Sequence, residues 1–295
     1  VVKNVATLQD ALAKGKGMLG YPIVRSAQLD TQVLLCHVLG IERAMLYAYP
    51  EREITPLQEQ QYFTLIARRK QYEPVPYLTG HKEFYGLDFF VDRRVLIPRP
   101  ETELLVETAL ELIKRSITSG HVSVVADIGT GSGAIPIAIA VEEPRLPYIY
   151  ASDISSDALE VAHLNCQRHH VTERVKLLQG DLVSPLPEPV DLLLANLPYV
   201  GTDEVDDIPP DVHLYEPHQA LFSGPDGLDL LRRLSEEVQR CSVLKPAGVL
   251  LLEIGYQQRE QLTHLLHKIW PNAIIACQKD HAGFDRILQV KPFKN

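Results

Sequence analysis

The sequence predicts an α/β protein: a sheet of seven strands, mostly parallel with one antiparallel strand, preceded by a small bundle of helices. Three observations carry this reading. From Val122 onward, continuously apolar segments alternate with amphipathic ones, as in a parallel sheet covered by helices on both faces. The first seventy or so residues instead place apolar side chains at spacings of three and four. The last two apolar segments, "AIIACQ" and "DRILQV", are joined only by "KDHAGF", too short for a crossover, so they form an antiparallel pair.

The elements follow in order. Helices are expected at "LQDALAKGKGMLG", "SAQLDTQVLLCHVLG" and "TPLQEQQYFTLIARRKQ". The third carries a capping-box start, with Thr55 at the N-cap, Pro56 at N1 and Gln58 at N3. Residues 75–99 mix prolines, single glycines and alternating apolar positions, which suits a hairpin and connector. Helix resumes at Pro100, where Glu101 and Glu103 favour the dipole, and runs through "LLVETALELIKRS". Strands are then expected at "VSVVADIG", "YIYASDI", "VKLLQGD", "VDLLLANL" and "GVLLLEIG", ahead of the final pair. The division is a helical domain over 1–74, a connector over 75–99 and an α/β domain over 100–295.

Charge and apolar run length exclude some classes. Residues 1–100 hold 13 basic against 10 acidic side chains, and the remainder 16 against 28, within a net charge of −9. A body this acidic repels bare phosphate backbone, so direct nucleic-acid binding is not expected. The longest apolar stretches fall well short of the roughly 18 residues that span a bilayer, and the N-terminus lacks a basic-then-apolar signal. A cytoplasmic protein without membrane contact, acting as a monomer, is the expectation. The four cysteines are far apart, with no CxxC spacing, and suggest neither metal nor disulfide.

Chemistry concentrates at the expected strand ends. In "VVADIGTGSGAI", Asp127 precedes Gly129, Gly131 and Gly133 and then a helix. Such a turn lets a ligand approach the backbone at a helix N-terminus. Read as Gly-x-Gly-x-x-Ala it also fits a dinucleotide site, so a nicotinamide oxidoreductase stays open, as does a binding module without catalysis. Asp127 favours another ligand: a carboxylate there opposes a pyrophosphate but could hold the ammonium of S-adenosylmethionine. Asp153, at the tip of the second strand, can accept both hydroxyls of a ribose, or else cap the next helix. Asp181 ends the third strand within reach of an adenine amino group, unless it and Leu182 only shape a turn and the core.

The run "DLLLANLPYV" ends a buried strand with Asn196, Leu197, Pro198 and Tyr199. The side-chain oxygen of Asn196 and the carbonyl of Leu197 are two acceptors that match the two hydrogens of a planar –NH₂. Holding those hydrogens favours pyramidal nitrogen and points its lone pair at a sulfonium methyl. Pro198 stiffens the corner and Tyr199 can pack on the planar group. A buried Asn closing a strand before a turn is the plainer alternative.

These segments together resemble the N5-glutamine methyltransferases that modify class-1 peptide-chain release factors. The resemblance covers nearly the whole chain, through "VLIPRPETELLVE", "DIGTGSGAI", "YEPHQALFSGPDGL", "LLLEIGYQQ" and "HAGFDRIL". The "PRPE" in the connector looks like the release-factor enzymes, whereas the sister enzymes acting on a ribosomal protein glutamine tend to show "PRSP". The resemblance implies a Rossmann-like class I methyltransferase sheet. It also implies transfer from S-adenosylmethionine to the glutamine of a Gly-Gly-Gln motif, with S-adenosylhomocysteine as product. Gly129, Thr130, Gly131, Ser132, Gly133 and Asp153 would contact the cofactor, Leu96 and Ile97 would line its pocket, and Leu182 would flank the adenine. The family's corner is usually Asn-Pro-Pro-Tyr. Leu197 in place of the first proline also resembles ribosomal RNA adenine dimethyltransferases, so RNA adenine and ribosomal protein glutamine are the alternative substrates.

Overall fold

The structure is a computed structural model that describes residues 6–20 and 26–292. Residues 1–5, on which part of the targeting argument rests, lie outside the described residues. The chain divides into two compact units. One holds the described residues up to His81 together with Pro209–Tyr215; the other holds Lys82–Ile208 and the described residues from Glu216.

The first unit is helical: α1 (Leu8–Leu19), α2 (Ala27–Leu39), α3 (Arg43–Ala48), α4 (Pro56–Lys70) and α5 (Val75–Thr79). Leu8, Leu34, Leu35, Tyr62 and Ile66 form its core, and Leu78 of α5 joins them. That packing is why the compact unit runs on past residue 74. At the start of α4 the Thr55 hydroxyl accepts from the Gln58 N–H at 3.3 Å, and the Gln58 side chain accepts from the Thr55 N–H at 2.9 Å. Thr55→Ala is expected to cost about 1 kcal/mol, read as roughly fivefold faster amide hydrogen exchange along α4. Equal exchange rates would mean that the cap contributes nothing.

In the second unit, β1 (His81–Phe84) pairs with β2 (Leu87–Phe90), a 3-10 turn covers Pro100–Thr102, and α6 (Glu103–Thr118) follows. Next come β3 (Val125–Ile128), α7 (Ala134–Glu142), β4 (Ile149–Asp153), α8 (Ser156–Arg168), β5 (Val175–Gln179) and β6 (Val190–Ala195). After a 3-10 helix over Thr202–Asp207, a short helix α9 (Pro210–Tyr215) belongs with the helical unit. There Asp211 lies 3.7 Å from Arg69, and the Tyr215 hydroxyl donates to the Gln71 carbonyl at 2.8 Å. The chain then forms α10 (Asp229–Arg240), β7 (Leu244–Glu253), α11 (Arg259–Ile269), β8 (Ile274–Lys279) and β9 (Asp285–Lys291).

The seven-stranded sheet has the order β5-β4-β3-β6-β7-β9-β8, and β9 runs antiparallel to both neighbours. One antiparallel strand in an otherwise parallel sheet is what the short last connection required. Strands β3 and β6 are buried almost throughout, as is α7 between Ala134 and Ala140, which explains their unbroken apolar composition. Strand order reverses at β3. Ile128 is in register with Ser152 on one side and with Ala195 on the other. The next residues, Gly129 and Asn196, therefore emerge side by side at the carboxyl edge, where such sheets bind ligands. Among the described residues, no helix is long and apolar enough to cross a membrane.

Candidate active site

The glycine loop is held from below by its neighbouring strand. The Ser152 carbonyl accepts from the N–H groups of Gly129 at 2.8 Å and Thr130 at 2.9 Å, and the Gly131 N–H donates to Asp153 Oδ2 at 2.8 Å. The Gly133 N–H bonds the Thr130 carbonyl. With these donors engaged inside the protein, the loop is poorly equipped to cradle a pyrophosphate, which counts against a dinucleotide. Gly129 has φ +75°, and a Cβ there would lie 2.7 Å from the Leu197 side chain. The loop after β3 and the corner after β6 thus touch.

A cavity of about 300 Å³ opens between them, large enough for a small ligand. Gly129, Gly131, Asp153, Asp181, Leu182, Asn196, Leu197 and Pro198 line it, with Leu96 from the connector. Asp127, Thr130, Ser132, Gly133, Tyr199 and Ile97 do not reach its surface.

Each acidic candidate has a distinct setting. Asp153 Oδ1 accepts from the Ser155 N–H at 2.9 Å, while the Ser155 hydroxyl caps α8. Asp153 is therefore not the cap. Each of its oxygens keeps a further lone pair for a hydroxyl, and burial holds its pKa above the usual carboxylate value. Asp181 is paired with Arg233 at 2.6 Å, a cation that spacing gave no reason to place there. Leu182 sits at φ +47°, an uncommon conformation for a branched residue, with its carbonyl accepting from the Ser152 hydroxyl at 3.2 Å.

Asp127 is wholly buried beneath the loop, and among the described residues neither carboxylate oxygen has a hydrogen-bond partner. Burial pushes its pKa up to about 7 and the nearby Asp153 charge adds to the rise, while the Thr130 hydroxyl offsets part of it without closing a hydrogen bond. An orphaned acid under a glycine bend, beside a carboxylate that can still accept hydroxyls, fits a ligand that carries an ammonium and a nucleoside.

Residues outside the sequence reading hold this arrangement together. Asn165, fully buried on the core face of α8, accepts from the Phe90 N–H at 2.8 Å and donates to the Phe90 and Ser132 carbonyls at 3.0 and 2.9 Å. It ties β2 to the glycine loop. Glu216 accepts from the Ile97 N–H at 3.1 Å and from Arg99 at 2.6 Å, fixing the connector. Gln258 donates to the Tyr199 carbonyl at 2.8 Å, and Asn196 donates from Nδ2 to the Thr102 hydroxyl oxygen at 3.0 Å. An amide on the apolar face of a helix was a visible signal for Asn165; nothing local marked Glu216 or Gln258.

Two family models match: the PrmC N-terminal domain over residues 10–80 and the methyltransferase small domain over 101–209. A release factor glutamine methyltransferase of Koribacter versatilis is 42% identical, over 89% of this chain and 90% of that protein. The chain belongs to the release factor glutamine methyltransferase family. Another member, from Clostridium acetobutylicum, is 38% identical over 95% of this chain and 97% of its own length. Among solved structures, the hMettl16 catalytic domain in complex with a MAT2A 3'UTR hairpin has a TM-score of 0.57, covering 82% of this chain and 84% of that one. At 14% identity it shares the fold alone. Leu197 is thus carried by a family member, and its side chain meets the glycine loop at Gly129.

Proposed function

We propose that this chain transfers the methyl group of S-adenosylmethionine to the side-chain amide nitrogen (N5) of the glutamine in the Gly-Gly-Gln loop of class-1 release factors, leaving S-adenosylhomocysteine. The observation that supports this is that Asn196 and Leu197 line one cavity together with the glycine loop, with Leu197 against Gly129. When bound, S-adenosylmethionine supplies an electrophilic methyl carbon. Asp153 would take its ribose hydroxyls, Leu96 and Leu182 its apolar flanks, and Asp127, buried beneath the glycine loop rather than on the cavity surface, would favour its ammonium by charge.

Asn196 Oδ1 and the Leu197 carbonyl accept the two hydrogens of the incoming amide and turn its lone pair toward the methyl carbon. Their dipoles also stabilise the positive charge that grows on nitrogen during transfer. One of those hydrogens leaves as a proton once the nitrogen is methylated, so no strong base is needed. Pro198 fixes the backbone at this corner and keeps the two acceptors in one geometry.

Incubation of the chain with a class-1 release factor, ribosomal RNA and S-adenosylmethionine tests this. Mass spectrometry should find one added methyl group on the glutamine of the Gly-Gly-Gln peptide. A methyl group on adenine of the RNA, with the factor unmodified, would overturn the reading in favour of RNA methylation.

A further inference from the structure

Glu253 ends β7 with its side chain wholly buried, and among the described residues neither carboxylate oxygen has a hydrogen-bond partner. Leaving a buried polar group unsatisfied is costly, and more so if it is charged. Ala195 is in register with Leu252, so the next residues, Asn196 and Glu253, leave neighbouring strand ends side by side, and the Thr102 and Tyr199 hydroxyls, the Arg286 guanidinium and the Glu101 charge act on the acid. Thr102, itself buried, also meets Asn196 Nδ2 at 3.0 Å. The orphaned acid thus stands behind the residue that holds the amide of Asn196. A hydroxyl can accept from Nδ2 or donate to Oδ1, so Thr102 alone does not decide which way that amide faces. What stands on the other side of the hydroxyl does.

We propose that Glu253 is a positioning residue: acting through Thr102, it sets whether Asn196 presents its amide oxygen or its amide nitrogen to the acceptor site. With Glu253 ionised, the Thr102 hydrogen is drawn to the carboxylate, its oxygen accepts from Nδ2, and Oδ1 is left for the substrate. With Glu253 protonated, the acid donates to Thr102, whose own hydrogen turns to Asn196. The amide then flips and offers N–H groups that oppose a substrate –NH₂. One proton exchanged with solvent separates the two states.

Burial pushes Glu253 up to about 7, with Thr102, Arg286 and Tyr199 opposing the rise and Glu101 adding to it. The productive state therefore gains as pH rises through that value. The consequence for catalysis rests on the methyl-transfer reading above; the relay itself does not.

Two measurements on the full chain keep these apart. In ¹⁵N-labelled protein the Asn196 side-chain amide resonances should titrate with a midpoint at about 7. They should stop doing so in Glu253→Gln and Thr102→Val, and do so again in Thr102→Ser. On a release factor, kcat should rise about tenfold between roughly pH 6 and 8 and be flat in Glu253→Gln, with KM for the cofactor unchanged. An Asn196 amide that does not titrate, or that titrates equally in Glu253→Gln, overturns the relay. A titrating amide in a chain that leaves the factor unmodified supports the relay and removes the substrate assignment.

Discussion

Asn196→Ala is expected to slow methyl transfer by about 10²–10³-fold while leaving cofactor affinity within a few-fold of the unchanged chain. The substitution deletes one of the two acceptors and, with it, the donor to Thr102. The Leu197 carbonyl stays, so the substrate amide would still bind but in a less constrained pose. Single-turnover rates should carry the loss and calorimetry with S-adenosylmethionine should not. A single-turnover rate equal to that of the unchanged chain would remove Asn196 from the mechanism.

Asp127→Asn is expected to stabilise the folded chain by about 2–4 kcal/mol above neutral pH and to weaken S-adenosylmethionine binding at the same time. In the folded state the carboxyl is raised from 3.8 to about 7. Stability tied to this group is therefore fully present below 3.8 and is lost as pH rises through about 7, because the unfolded chain ionises first. The Asn variant has no such loss, so the two chains should diverge between those values and run parallel above them. Urea unfolding across that range, followed by a probe in the α/β unit, reads the difference. Superimposable stability profiles would show that Asp127 carries no burial cost, and with it no stored preference for a cationic ligand. A site that gives up stability to hold an unpaired acid is a common mark of function.

Much of this was legible from residue pattern because the signals were local. The alternation of apolar and amphipathic segments, the capping box at Thr55 and the brief link between β8 and β9 each act over a few residues, and each appears in the fold. The loop from Gly129 and the corner at Asn196 were also placed correctly beside one another, since strand ends in a parallel sheet share one edge. The supporting partners depended on distance in sequence. Thr102 meets Asn196 across 94 positions, and Arg233 meets Asp181 across 52. No periodicity encodes such pairings. Glu253 was a partial exception: an acid ending "VLLLE" contradicts the apolar run around it, and that contradiction was readable before any coordinates. Asp127 shows the reverse. Its place ahead of the glycine loop was readable, but its complete burial was not.

The assignment of α9 to the helical unit has a practical result for anyone dissecting the molecule. The polypeptide passes between the units three times, near His81, Pro209 and Tyr215. A protease that nicks one linker therefore cannot release the bundle intact, and a gene fragment stopping at residue 81 would encode a bundle missing the helix that supplies Asp211 to Arg69.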